Sequence, residues 1–539
     1  MVTPEVVPPG RDDSLPAAPS GDDGAGPDAA RPTRRGLRDQ ARIARRLGLT
    51  GALLMGISAL GSGAFPAPNP LNGLRVLGLP ARNVTLAIAV TYAGLLMVVT
   101  AWLWIARMLT ARGARFPAPE KRELGRTAML WGLPLALAPP MFSKDIYSYL
   151  AQSATLARGI DPYTIGPAQA LGVGDPLVGG IPTIWRDTPA PYGPLFLGLG
   201  RVITAISGEN VVLGIFEHRV LALLGVAVIV WALPRLAQRF DLDAGLVLWL
   251  GVANPLVLFH LVSGIHNESI MLPLLLLGLY VMLGRDDAEQ PWWKITLGAA
   301  LIVAAAAVKL PALLALGFVG VYLVRKRGGR LVDWVVLTSW LTVVAAVVLS
   351  AFSFATGLGF NWLKGLSAPS AIRSWFSVTT DLGMLGGQIG RLFGLGDHSE
   401  ATLTLARGLG WAVIAVVVVW LLLACLRGKL DPVTGTGAGL GAVVLLGPVV
   451  HPWYLFWALL PLVATRAMPR YRRAVIALSA VIALLVPPTG ADFIFRAFQL
   501  PLSIIAGLVM FALSLLVVRR VLHRPAGRDG SGSVPEPAS

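Results

Sequence analysis

The residues able to do chemistry in this chain are few and stand out against apolar surroundings. Only 14% of the 539 residues are charged, whereas 55% are hydrophobic, and a soluble protein has about 25% charged residues. Asp145, Tyr149 and Gln152 share one face of a helix for which Ser143 is the predicted N-cap. A carboxylate beside hydrogen-bonding groups suits a general base for a hydroxyl nucleophile. Alternatively, Asp145 only favours the helix N-terminus through the dipole.

His266, Asn267 and Glu268 form a second polar cluster, between two apolar runs and at the same outer level as Asp145. This cluster is either part of a site or a hydrogen-bonded turn, because short turns favour Asn and Gly but require neither His nor Glu. Tyr192 belongs to a Pro-Tyr-Gly-Pro sequence, which predicts a rigid turn that re-enters the membrane. All four residues are candidates for contact with a substrate.

His451, Trp453 and Tyr454 lie close together near the outer end of a later apolar run. They suit the binding of a sugar face or a lipid headgroup, although aromatic residues also form belts at membrane interfaces. Lys309 lies where two further runs meet, and a lysine there is costly unless it is paired or solvated. Either a phosphate pairs with it or its side chain reaches the interface. Arg373 is a second candidate for a phosphate.

Several other chemistries are absent from the sequence. No GxxxxGK(S/T) phosphate-binding loop occurs, so an ATP-driven reaction is not supported. Cys425 is the only cysteine, which excludes an intrachain disulfide and a cysteine-rich metal site. The six histidines are scattered and lack metal-ligand spacing. We therefore predict neither a metal ion nor a cofactor.

Helices in a membrane must position these residues. Mean hydropathy is +0.68, and a run of about 20 apolar residues spans a bilayer as one helix. The sequence contains about fourteen apolar runs, several short enough to be tilted, broken or merged. They cover approximately residues 48–65, 84–107, 126–142, 209–232, 244–262, 269–284, 294–308, 311–324, 333–356, 402–425, 436–450, 454–466, 473–488 and 498–518. The prediction is an all-α multi-pass membrane protein with about 13–14 transmembrane helices.

The net charge of +16 is typical of nucleic-acid-binding proteins, but its location indicates membrane topology instead. Lys and Arg concentrate at both ends and in short loops such as residues 325–327, and such loops face the cytoplasm. With a cytoplasmic N-terminus, residues 143–208 and 357–401 form long outer loops. Residues 194–207 are then interfacial or re-entrant, because a full pass would invert the loops that follow. The predicted partner is a lipid bilayer and not a nucleic acid.

Composition also divides the chain into four parts. Residues 1–30 are rich in Pro, Gly, Ala and Asp, which predicts a disordered tail. Residues 31–47 form a basic cytoplasmic segment, and residues 48–518 form the transmembrane domain. Residues 519–539 form a basic, disordered cytoplasmic tail.

Five short motifs in order resemble the actinobacterial polyprenol-phosphomannose-dependent α-1,6-mannosyltransferases, and among these the MptB type. The motifs are Lys144-Asp145-Ile146-Tyr147-Ser148-Tyr149, Pro191-Tyr192-Gly193-Pro194, Asn254-Pro255, His266-Asn267-Glu268 and His451-Pro452-Trp453-Tyr454. The resemblance covers approximately residues 45–520. It implies a GT-C glycosyltransferase fold with its active site on the extracytoplasmic face of the plasma membrane.

The resemblance also implies the reaction. The family's donor is a mannosyl phosphate carried on a polyprenol, and its acceptor is a mannosylated phosphatidylinositol or lipomannan. Its loop acid, matched here by Asp145, is taken to be the base, and the segments around His266 and His451 match parts of the same cavity. Many GT-C enzymes keep paired acids after the first span, whereas Asp145 stands alone after the third apparent span. This departure weakens the case for a metal held by paired carboxylates.

We therefore predict an inverting transfer of mannose to a mannoside lipid, which builds the α-1,6-linked core of lipomannan and lipoarabinomannan. Asp145 deprotonates the acceptor hydroxyl, and Lys309, Arg373 or His266 stabilises the leaving phosphate. One alternative is another GT-C enzyme, either an arabinosyltransferase or a protein mannosyltransferase. The other is a transporter or flippase, which predicts ionisable residues deep inside spans and repeat symmetry.

Overall fold

The computed structural model describes residues 34–110, 121–284, 289–489 and 498–522. Over these ranges the protein consists of helices and connecting segments, without a strand. The predicted disordered tail at 1–30 lies outside the described residues, as does the part of the C-terminal tail after residue 522. The first helix begins at Arg34 and so includes most of the predicted basic segment. The last helix continues to Leu522, past the predicted boundary at 518.

Twenty-one α-helices lie within the described residues. The first eleven are α1 Arg34–Ser62, α2 Leu79–Arg82, α3 Val84–Thr110, α4 Lys121–Leu137, α5 Asp145–Ala157, α6 Pro167–Leu171, α7 Pro176–Gly180, α8 Thr183–Arg186, α9 Pro194–Ser207, α10 Val211–Gln238 and α11 Ala244–Gly251. The other ten are α12 Glu268–Leu283, α13 Trp292–Ala306, α14 Leu314–Lys326, α15 Leu331–Ala355, α16 Val378–Leu392, α17 Ser399–Leu426, α18 Pro432–Leu446, α19 Leu455–Val463, α20 Met468–Leu485 and α21 Gln499–Leu522. A π-helix covers Val257–Ser263, and 3-10 helices cover Leu310–Leu313, Asn361–Ala371 and Pro452–Tyr454.

The prediction of an all-α multi-pass membrane protein is confirmed. Among the described residues, six helices are long and apolar enough to cross a bilayer, namely α1, α3, α10, α15, α17 and α21. The π-helix and α12 add a seventh span if the bent pair counts as one. Shorter apolar helices include α9, α13 and α18. The finer count of 13–14 spans stays a prediction.

The run expected as one span over residues 244–262 is broken in the structure. Helix α11 ends at Gly251, and the π-helix begins at Val257. Between them, Asn254 Oδ1 accepts a hydrogen bond from the Leu256 backbone N–H, and Asn254 Nδ2 donates to Ser479 Oγ. Pro255 follows, and the residue before a proline is disfavoured in the helical conformation. The Asn-Pro motif therefore lies in the break between α11 and the π-helix, and its side-chain hydrogen bonds hold the chain there.

Helix α9 is too short to cross a bilayer by itself. Its 14 residues extend about 21 Å at 1.5 Å per residue, against a hydrocarbon core of about 30 Å. It follows the Pro-Tyr-Gly-Pro turn and packs on α5. This length supports the prediction that residues 194–207 are interfacial or re-entrant.

A close backbone contact joins α10 to the start of α12, where the polar cluster lies. A Cβ atom at Gly225 would lie 1.7 Å from the Ser269 carbonyl oxygen, so only glycine fits. Small residues allow helix backbones to approach in membrane proteins, where dispersion contacts replace the hydrophobic effect between helices. Gly225 thereby sets the position of the first turn of α12 against α10.

We expect Gly225→Ala to lower the apparent unfolding temperature in detergent, because the Ser269 backbone must move. Overpacking of this kind costs about 1–3 kcal/mol. Gly125→Ala is the matched control, since Gly125 lies in α4 and a Cβ atom there would meet no atom within 4 Å. That control should gain about 0.4–1 kcal/mol from reduced unfolded-state entropy. Equal unfolding temperatures for the two variants would contradict the proposed contact.

Candidate active site

Asp145 begins α5, in the first turn where the helix dipole favours a carboxylate. The N-cap residue is Lys144 rather than the predicted Ser143. Ser143 still contributes, because its hydroxyl oxygen accepts a hydrogen bond of 3.0 Å from the Asp145 backbone N–H. Asp145 Oδ2 lies 3.3 Å from Nδ1 of His266. The structure thus joins the two clusters that the sequence placed 121 residues apart.

A stack of three rings connects His266 to the C-terminal motif. The His266 and Trp453 rings are 3.6 Å apart, and the Trp453 and His451 rings are 4.6 Å apart and nearly parallel. Imidazole rings therefore cover both faces of Trp453, so this indole has no free face for a sugar. Tyr454 meets His451 edge-on at 5.1 Å. The motif positions His266 and its neighbour Asp145.

The second half of the site is a buried ion pair. Lys309 Nζ lies 2.5 Å from Glu268 Oε1 and 3.5 Å from Asn267 Oδ1. The ammonium also lies 4.2 Å from the ring centroid of Tyr454 and 5.3 Å from that of Trp457. Lysine at this point is thus paired, as a charge in apolar surroundings must be.

Two connections bring the remaining candidates to this site. The chain bends by 110° between the π-helix and α12, and at the bend the Asn267 backbone N–H donates to the Tyr149 hydroxyl at 3.4 Å. Tyr192 packs edge-on against Tyr149 with centroids 5.1 Å apart. Its turn is held by the Gly193 backbone N–H, which donates to the carbonyl of Val308, next to Lys309.

Several buried polar atoms of the site have no hydrogen-bond partner among the described residues. They are His266 Nε2, Asn267 Nδ2 and Glu268 Oε2. The predicted residue Gln152, two turns along α5 from Asp145, also has an unpartnered oxygen, Oε1. Buried polar groups are satisfied in the great majority of proteins, and each unsatisfied one costs about 1–3 kcal/mol. Such atoms are candidates for contact with water or a polar substrate.

Electrostatics fixes the protonation states of three groups outside the spans. Burial by itself raises the pKa of Asp145. The His266 and His451 rings and the Ser143 hydroxyl lower it by more, so the pKa of Asp145 lies below its ordinary value. Burial by itself lowers the pKa of Lys309. The negative charge of Glu268 raises it by more, so the pKa of Lys309 lies above its ordinary value. Burial lowers the pKa of His451 to about 4. At neutral pH the site therefore holds a carboxylate, an ammonium and a neutral imidazole.

One predicted residue is not brought to the cluster. Arg373 forms an exposed ion pair with Glu400, and within the described ranges no contact joins it to Lys309.

Conversely, two residues of the site, His260 and Trp457, were not among the candidates from the sequence. His260 is fully buried, 5.6 Å from the His266 ring, and Trp457 Nε1 donates to Glu268 Oε1. A histidine inside an apolar run was the available signal for His260.

A metal site is the remaining question about this cluster. The described part of the chain contains no group of three or more His, Cys, Asp and Glu side chains arranged to hold a metal ion. Asp145 and Glu268 instead have the partners His266 and Lys309. The absence of a metal and of a cofactor stays a prediction.

Comparison with known proteins places the chain in a family. The profile described as the N-terminal domain of alpha-(1→6)-mannopyranosyltransferase, of the MptA and MptB family, matches residues 45–325. The profile of the MptB C-terminal domain matches residues 379–516.

Curated relatives agree with these matches. A probable alpha-(1→6)-mannopyranosyltransferase of Mycolicibacterium smegmatis is 42% identical over 519 residues, covering 92% of both chains. An alpha-(1→6)-mannopyranosyltransferase of Mycobacterium tuberculosis is 39% identical over 540 residues, covering 92% of this chain and 90% of its own. Alpha-(1→6)-mannopyranosyltransferase B of Corynebacterium glutamicum is 37% identical over 461 residues, covering 83% and 77%.

The fold and these matches define a multi-pass membrane glycosyltransferase. The resemblance carried by the five motifs is confirmed. The chain belongs to the alpha-(1→6)-mannopyranosyltransferase family of the MptA and MptB type, and it is an enzyme of the mannosyltransferase class.

The Lys309–Glu268 pair yields a stability prediction. Lys309→Met and Glu268→Gln should each lower the apparent unfolding temperature in detergent, because removing one partner of a buried pair costs about 3–5 kcal/mol. The double variant should recover much of this loss, since it leaves no uncompensated charge. Additive losses in the double variant would show that the two groups do not interact. Arg373→Met and Glu400→Gln, which break an exposed pair, serve as controls with a cost below about 1 kcal/mol.

Proposed function

We propose that this protein transfers mannose from a polyprenyl-phosphate-mannose donor to a mannoside lipid acceptor and forms an α-1,6 linkage. The acceptor is a mannosylated phosphatidylinositol or a growing lipomannan. The observation that carries the proposal is the carboxylate of Asp145 beside His266, in a cluster of unsatisfied polar groups enclosed by apolar helices. The α-1,6 linkage is supported by the relatives, which are named alpha-(1→6)-mannopyranosyltransferases.

Exposure favours Asp145 as the base over its partner. The Asp145 side chain is 17% exposed, whereas that of His266 is fully buried. Asp145 accepts the proton of the acceptor's 6-hydroxyl, and that oxygen attacks the anomeric carbon of the β-mannosyl phosphate. The bond from this carbon to the phosphate oxygen breaks as the new bond forms, and polyprenyl phosphate leaves with the electron pair. Attack from the opposite side converts the β donor into an α product.

The second half of the site supplies the groups for the leaving phosphate. Asn267 Nδ2 is a buried donor without a protein partner among the described residues, while its Oδ1 faces the Lys309 ammonium. We assign the phosphate contact to Asn267 Nδ2, with Lys309 supplying positive charge behind it. Of the other two predicted phosphate partners, His266 contacts Asp145, and Arg373 pairs with Glu400.

Helix direction supports a site on the extracytoplasmic side, in what we propose is the plasma membrane. Helix α12 begins at the cluster, and α14 begins just after Lys309. Their other ends, about 20 Å away at 1.5 Å per residue, lie near residues 325–327, which are Arg, Lys and Arg. Positive loops face the cytoplasm, so the cluster belongs on the outer side. A lipid-borne donor fits such a site, because its chain stays in the bilayer while its phosphate reaches the cluster.

Of the two alternative functions, one belongs to another class of protein and the other keeps the same fold. A transporter or flippase predicts ionisable residues deep inside spans. Lys309 and Glu268 instead pair with each other at helix ends, and the buried Arg219 on α10 is held by backbone carbonyls. An arabinosyltransferase or a protein mannosyltransferase differs in donor sugar or acceptor. The family membership favours mannose, and the assay below separates these alternatives by product.

Asp145→Asn should reduce mannosyl transfer by about 10²–10⁴-fold, the usual contribution of a general base, with little change in unfolding temperature. The measurement uses purified protein in lipid nanodiscs, radiolabelled polyprenyl-phosphate-mannose and a synthetic α-1,6-dimannoside, followed by linkage analysis. Asp243→Asn is the control, because Asp243 caps α11 through the Leu246 backbone N–H and asparagine caps equally well. Near-normal transfer by Asp145→Asn would refute the assignment.

The same assay tests the donor and the linkage. Wild-type protein should form an α-1,6-linked trimannoside from the polyprenyl donor and none from GDP-mannose alone. Product formed only from an arabinosyl lipid, or mannose attached only to a peptide, would replace the proposed function by the corresponding alternative.

A further inference from the structure

Arg219 is a buried arginine that the reaction scheme leaves unused. It lies on α10 and is 6% exposed. Its guanidinium donates to the carbonyl of Ala136 at 2.6 Å, to that of Ala138, and to that of Ser263 at 3.4 Å. None of the ion pairs among the described residues includes Arg219. A buried cation without a carboxylate is costly, so these carbonyls must stabilise it.

The three carbonyls belong to two segments that lead to the reacting residues. Ala136 and Ala138 lie at the end of α4, and the chain continues from there to Asp145. Ser263 ends the π-helix, and His266 follows three residues later. The guanidinium is planar and presents five donors in a fixed fork. Arg219 therefore joins the end of α4 to the end of the π-helix, where the segments that lead to Asp145 and His266 begin.

Both connecting segments contain backbone strain. Phe142 has φ +68° and Ile265 has φ +56°, and only one other non-glycine residue in the described ranges has a positive φ. The left-handed conformation costs about 1–2 kcal/mol for an ordinary L-residue, and it is most unusual for bulky or β-branched side chains. Strained residues persist only where the surroundings over-determine them.

We infer that Arg219 is a positioning residue that sets the separation of the Asp145 carboxylate from the His266 ring. Arg219 holds one end of each strained segment. The other ends carry the Asp145 carboxylate and the His266 ring, which lie 3.3 Å apart. Both terminal nitrogens of the guanidinium donate to backbone carbonyls, only Nε is without a partner among the described residues, and the side chain is buried. Arg219 therefore acts through these two segments. This inference rests on the proposed role of Asp145.

The test compares Arg219→Lys with Arg239→Lys in the nanodisc assay. Arg239 is a chemically similar control: its guanidinium donates to the carbonyl of Leu283, at the end of α12, and to the Tyr322 hydroxyl. It lies about 30 Å from Arg219 along α10 at 1.5 Å per residue. A lysine keeps the charge in both variants but lacks the planar fork that bridges separate carbonyls.

We expect Arg219→Lys to lower kcat by about 10–100-fold, because a displacement of 1 Å at the reacting groups has an effect of this size. The KM for the polyprenyl donor should change little, because the substitution leaves ground-state contacts to the donor in place. The loss of kcat should exceed what the loss of unfolding temperature accounts for, as judged against Arg239→Lys. Arg239→Lys should retain the wild-type kcat. Arg219→Gln, which buries no charge and still donates two hydrogen bonds, takes the place of the lysine variant if that protein is not monodisperse.

Two outcomes overturn the inference and leave the proposed function intact. One is a kcat for the Arg219 variant equal to that of Arg239→Lys while Asp145→Asn is inactive. The other is a loss of activity that follows the loss of unfolding temperature in both arginine variants, which indicates a purely structural role. If Asp145→Asn is itself active, the proposed base is wrong, and the inference about Arg219 falls with it.

Discussion

The contact between Lys309 Nζ and Glu268 Oε1 is the interaction on which the rest of the site depends. In an apolar helical bundle neither charge persists without the other, because transfer of a single ion out of water costs several kcal/mol. The pair joins the segment after α13 to the first turn of α12. Asn267 and Trp457 then bind to the same two groups. One electrostatic requirement therefore assembles three parts of the chain that are distant in sequence.

The reacting half of the site is built differently, from helix ends and ring stacking. Asp145 lies at a helix N-terminus, and His266 lies at a sharp bend just before another. Trp453 is held between two imidazole rings and so transmits the position of the C-terminal motif to His266. The aromatic residues near the membrane surface are thus structural parts of the proposed catalytic centre, where composition alone favoured an interfacial belt.

Positive charge has two separate functions in this protein. Most Lys and Arg residues lie in loops and at both ends of the chain, the distribution that the positive-inside rule associates with cytoplasmic loops. Lys309 and Arg219 are different, because both are enclosed by the helices and both hold defined partners. Lys309 pairs with a carboxylate, whereas Arg219 donates hydrogen bonds to backbone carbonyls. The contrast explains why net charge says little about function in this chain.

The sequence by itself determined the helical membrane class, the spans of highest hydropathy and the residue types of the site. These follow from local composition, which a single segment carries. Only the tertiary structure decided that Lys309 pairs with Glu268, that Trp453 is covered on both faces, that Arg219 joins two segments, and that Arg373 pairs elsewhere. Such contacts depend on a 110° bend and on backbone approaches such as that at Gly225. Packing of this kind depends on contacts between segments that are distant in sequence, and no local sequence pattern encodes it.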